Sequence, residues 1–82
     1  MTAFYDHRAE QAINQTASEA LGFVNQLYRE SARPEFDWSE VCFWAAQSVA
    51  PDAGLARQLQ MARLAKVQVM EVMQALHRTV AA

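Results

Sequence analysis

The chain has 82 residues, of which 52% are hydrophobic and 20% charged, and its net charge is -2. A chain of that length builds one domain rather than two, and its apolar content excludes a disordered segment, which sparse apolar residues and high net charge would mark. A lone cysteine, Cys42, excludes an intrachain disulfide framework and a multi-cysteine zinc site.

No uninterrupted apolar run approaches the length of a membrane span, about 18 residues. The leading residues, MTAFYDHRAEQ, are polar and acidic where a secretion signal is basic and then apolar. These two features predict a protein of the reducing cytoplasm. The sixteen alanines, the lack of alternating β-branched runs and the absence of Asn-Gly or Asp-Gly turns predict an all-α fold. Pro34 and Pro51 divide the chain into three segments. The expected architecture is therefore a small three-helix bundle over residues 1–82, two long helices and a short crossing one, completed by oligomerisation.

The first helix is expected over about residues 3–31. Ala9, Ile13, Ala20, Val24 and Leu27 share one stripe, flanked by Tyr5, Thr16, Ala17 and Phe23, and small residues dominate its first half. Small side chains let a neighbouring backbone come close. Gly22 lies on the polar side and costs about 1 kcal/mol relative to alanine.

The second helix is expected over about 37–49. Asp37 with Glu40 three residues on reads as a capping-box variant that places carboxylates on the first free amides and the positive end of the dipole. Its inward face is predicted as Trp38, Val41, Cys42, Ala45 and Val49. Trp44 lies on the flank and Phe43 nearly opposite Ala45, so this helix is apolar on more than one side.

The third helix is expected over about 52–79, opened by Pro51 and Asp52. Leu55, Leu59, Ala62, Val69, Met73, Leu76 and Val80 define the predicted inward stripe, widened by Ala65 and Val72, with Lys66 as its polar interruption. Met61 and Met70 border this stripe on opposite sides, and Leu64 and Val67 lie behind it.

At 1.5 Å per residue the long helices span about 40 Å and the middle one about 20 Å, so the short helix cannot cover the apolar length of the other two. A small core without disulfides usually needs a further staple, and oligomerisation is the remaining one. The linker around Pro34 permits either an up-down-up bundle or a long hairpin capped by the middle helix. Charge is also segregated. Residues 2–29 carry -1, residues 30–52 carry -4 and the remainder +3. The acidic middle and basic C-terminal helix can complement each other within the fold or across a dimer.

Chemistry-bearing residues are few. The chain has no glycine-rich phosphate loop and no Ser-His-Asp set on a plausible scaffold. Cys42, one turn from Trp38 and Ala45, reads as a small core residue rather than a nucleophile, so no enzyme is expected. His7 lies one turn from Glu10, and His77 follows Met73 by four residues. A small helical metal or ligand carrier using His7, His77 and Met73 is thus the alternative reading, although no Glu-x-x-His pair of the di-iron type is present. Neither a metal nor another cofactor is expected. Four cations on the last helix are too few for a nucleic-acid footprint, and the absence of aromatic residues there argues against a membrane-surface helix.

The remaining signal is surplus apolar surface. Met61, Leu64, Val67 and Met70 accumulate within three turns, and methionine recurs on adaptable binding faces. Phe43 and Trp44 add aromatic anchors of the type that dominates interfaces, with Phe43 the stronger candidate for exposure. These six are the expected partner-binding residues. The expected function is a non-catalytic protein–protein interaction module, a small helical adaptor, chaperone or inhibitor. It would bind itself as a homodimer, or another protein, through an apolar face of the C-terminal helix. The terminal Val80-Ala81-Ala82 reads as a helix end, with engagement by an unfoldase protease as the functional alternative.

Overall fold

The computed structural model describes residues 7–81 and the side chains of residues 7–79. It contains three helices, α1 (His7–Glu30), α2 (Trp38–Val49) and α3 (Leu55–Ala81), and no strand among the described residues. The expected start of the first helix near residue 3, together with Tyr5 and the side chain of Val80, lies outside the described residues.

Each helix ends for a local reason. Ser31 N–H closes α1 on the Leu27 carbonyl at 2.8 Å, and Pro34 follows. Asp37, in extended conformation at φ -114° and ψ 120°, caps α2 by accepting from Ser39 N–H at 2.9 Å. Ala50 N–H closes α2 on the Ala46 carbonyl at 2.9 Å. The third helix starts three residues later than its sequence suggests. Ala53 N–H bonds back to the Ala50 carbonyl at 3.1 Å, which draws Pro51 and Asp52 into a turn. Helical bonding begins only where Gln58 N–H reaches the Gly54 carbonyl at 3.0 Å. Gln58, itself buried, also donates its side-chain amide to the Ala50 carbonyl at 3.0 Å, tying the turn to α3.

Pairings along the helices fix the topology. Ala9 and Ile13 face Met61 and Leu64, Asn14 accepts from Gln68 at 2.9 Å, and Leu21 and Tyr28 face Val72 and Leu76. α1 and α3 are therefore parallel. Against α3, α2 runs the other way, because Ser39 accepts from Lys66 Nζ at 2.8 Å while Phe43 lies against Leu59 and Ala62. The bundle is up-down-up, and the capped hairpin is excluded. Phe36 pins the linker, standing edge-on to Tyr28 at 6.4 Å and to Trp38 at 5.1 Å.

The core is made of small residues. Ala20, Ala45, Ala46 and Ala65 have no exposed surface, and Val69 is the bulkiest of the fully buried side chains. Alanine at facing positions lets the helix axes approach closely. Thr16 is buried among them because its hydroxyl donates to the Ala12 carbonyl at 2.7 Å, leaving no unpaired polar atom there. On α3 the buried positions are Gln58, Met61, Ala62, Ala65 and Val69. This differs from the expected stripe by a rotation toward α1. Leu55 and Leu59 are exposed at 62% and 39%, whereas Met61 retains only 6%. The helix packs into the cleft between α1 and α2, so its buried line follows the bisector of two neighbours and not the centre of its apolar residues.

Candidate interaction surfaces

The six side chains singled out from the sequence do not form one patch. Met61 lies in the core, and Met70 is half-buried against it. Phe43 is half-buried in the seam between α2 and α3, beside Leu59, Ala62 and Arg63. Trp44 is the aromatic residue that α2 exposes, at 51%. The order of exposure within that pair is thus the reverse of the sequence expectation, because position 43 turns toward α3 and position 44 toward solvent beside α1. Leu64 and Val67 are 43% and 57% exposed; Leu64 borders the α1–α3 seam beside Ala9, Ala12 and Ile13, and Val67, three residues on, lies farther round the outer surface of α3.

Two grooves and one ridge result. The first groove runs along the α1–α2 seam. Phe23 and Trp44 stack across it with ring centroids 5.0 Å apart, Phe36 closes one end, and Glu35, Asp37 and Glu40 stand along it. The second, of about 450 Å³, lies between the C-terminal halves of α1 and α3 and is lined by Leu21, Tyr28, Trp38, Val72, Met73 and Leu76. Val72, Met73 and Leu76 belong to the predicted inward stripe, but the sequence did not bring them together with Leu21, Tyr28 and Trp38. They continue the line of Val69 past the point where α2 begins. There the core has ended, and Val72, Met73 and Leu76 are 42%, 43% and 57% exposed. The ridge is Leu64 and Val67 on the exposed side of α3, with Arg57 at its α1 edge and Arg63 at its α2 edge.

The acidic middle and the basic helix do not neutralise each other within one chain. Among the described residues no carboxylate of segment 30–52 comes within the 4.0 Å of an ion pair with a cation of α3. Lys66 is committed to the Ser39 hydroxyl.

Cys42 has no exposed surface, and burial pushes its thiol above the ordinary value, an effect partly countered by the Lys66 charge. A thiol held protonated in the core is a poor nucleophile. The parallel arrangement of α1 and α3 also places His7 and His77 at opposite ends of the bundle, about 30 Å apart from the helical rise. Met73 and His77 share a shallow depression with Met70, Gln74 and Arg78, to which α1 contributes no ligand. Among the described residues no three of His, Cys, Asp and Glu gather as a metal site would require, and no helix is long and apolar enough to cross a membrane. No protein-family model, curated protein or solved structure matches the chain.

Proposed function

We propose that this chain is a non-catalytic interaction module that docks, on a second copy of itself or on another protein, through apolar surface of α3. One observation carries the reading. The stripe that supplies the core at Ala62, Ala65 and Val69 continues unchanged in character through Val72, Met73 and Leu76, which the described residues leave 42%, 43% and 57% exposed at the rim of a groove. Clustered apolar residues beside a groove mark association surfaces far more strongly than scattered ones do. Tyr28 and Trp38 at the same groove add aromatic side chains of the kind that carry interface energy.

A photo-crosslinking amino acid at position 76, introduced in the cell that makes the protein, tests this. The expected product is a discrete adduct, either of two copies or with one other protein, that is absent when the crosslinker replaces the exposed Gln11. Adducts at position 76 no more discrete than those at position 11 would refute the reading.

A further inference from the structure

Leu64 and Val67 on one side of the molecule, and Trp44 on another, are left exposed by the same fold, and their surroundings carry opposite charge. The groove at the α1–α2 seam has an aromatic floor of Phe23, Phe36 and Trp44 and an edge of Glu35, Asp37 and Glu40. Asp37 is occupied as the cap of α2, which leaves Glu35 and Glu40 without a hydrogen-bond or ion-pair partner among the described residues. The exposed side of α3 is the converse. Leu64 and Val67 lie one turn apart, as neighbours on a helix surface do, and form an apolar ridge whose Leu64 end borders α1; Arg57 stands beside Leu64 at the α1 seam and Arg63 at the α2 seam, one on each side. Those two cations likewise have no carboxylate partner among the described residues. Glu71, the one acid of α3, lies one turn beyond Val67, so the complementarity is concentrated in the stretch from Arg57 to Val67.

We infer that the groove receives the Leu64–Val67 ridge of a second copy, with Arg57 and Arg63 of that copy against Glu35 and Glu40. The inference rests on the proposed reading of the chain as an interaction module, and names the surfaces of self-association. A helix ridge entering the groove between two helices is the ordinary geometry of helix packing. The opposed charges orient the approach and disfavour any register that brings like charges together. Because the groove lies at the α1–α2 seam and the ridge on α3, a ridge-in-groove contact joins two different surfaces and not one surface to itself. The contact is head-to-tail, and each added copy presents a fresh ridge and a fresh groove.

Light scattering on the full chain across a dilution series is the test. The mass of the unaltered protein rises with concentration from 9.2 kDa through twice that value and beyond, and added salt reverses the rise. The variant R57E/R63E and the variant E35K/E40K each remain monomeric at concentrations at least tenfold above the onset for the parent. Mixed in equal amounts they assemble again, since the acidic ridge of one meets the basic groove of the other. All four side chains are exposed, and far-ultraviolet circular dichroism verifies that the helices persist. The salt dependence of the parent needs no variant at all. A parent that stays monomeric, an assembly indifferent to salt and to both reversals, or variants that fail to recover on mixing each overturn the inference. A discrete crosslink at position 76 in any of these cases leaves the broader reading standing.

Discussion

Replacing Val69 by alanine is the most direct test of which face of α3 is inside. Val69 has no exposed surface, and Ala65, one turn before it, has none either. Two methyl groups leave the core, worth about 1.6 kcal/mol at ~0.8 kcal/mol each. The void adds about 1 kcal/mol if the backbone does not close over it, and rigid helices meeting through alanine have few side chains able to collapse inward. The better helix propensity of alanine returns up to ~0.7 kcal/mol. The expected loss is therefore about 2 kcal/mol, with a range of roughly 1–3 kcal/mol. Urea unfolding followed by circular dichroism, at a protein concentration below the onset of association so that association does not contribute, measures it as a lower midpoint at unchanged slope. Val67→Ala is the control. It removes the same two methyl groups two residues away, where Val67 is 57% exposed, and is expected within about 0.5 kcal/mol of the parent. Equal effects at the two positions, or a larger one at Val67, would refute the assignment of the buried face.

Gly22→Ala is expected to raise stability by about 0.5–1 kcal/mol, because Gly22 has no positive φ and a Cβ there meets nothing within 4 Å; a midpoint that falls in urea would show that something docks against this glycine. Cys42 is expected to react with a thiol reagent far more slowly in the folded protein than in denaturant, and the same burial sets a pH dependence. The folded thiol titrates above its unfolded value of about 8.5, so the unfolded chain loses its proton first. The corresponding stability is intact below that pH and declines as pH rises through it toward the folded value. Cys42→Ala removes that part of the alkaline decline, and an unchanged decline in the variant would assign it to other groups.

Much of the fold was legible from local chemistry. Asp37 announces the start of α2 because a short acidic side chain satisfies an amide that no carbonyl can reach. Pro34 divides the first two helices, and the composition leaves no alternative to helix. Cys42 was placed in the core by its distance of one turn from Trp38 and Ala45. The start of α3 was misread because Pro51 and Asp52 satisfy the rules for a helix opening and for a turn alike. The bond from Ala53 N–H to the Ala50 carbonyl and the reach of Gln58 across eight residues decide for the turn.

The partition of side chains into inside and outside was a different kind of question. Apolar residues of α3 extend around more than a third of its circumference, so the sequence alone determined that α3 is amphipathic but not which edge of that wide band is buried. The answer depends on the two helices against which it packs, and on their being mostly alanine at the contact. That is why Met61 is inside while Leu59 is at the surface. Likewise the sequence determined that α2 is too short to cover its neighbours. Only the parallel course of α1 and α3 decided that the uncovered length lies beside Tyr28 and Trp38. The same course sets His7 and His77 at opposite ends, and parts Trp44, in an acidic groove, from Leu64 and Val67 on α3. Periodicity and capping act within a few residues of chain, whereas relative placement is settled by packing between segments far apart in it.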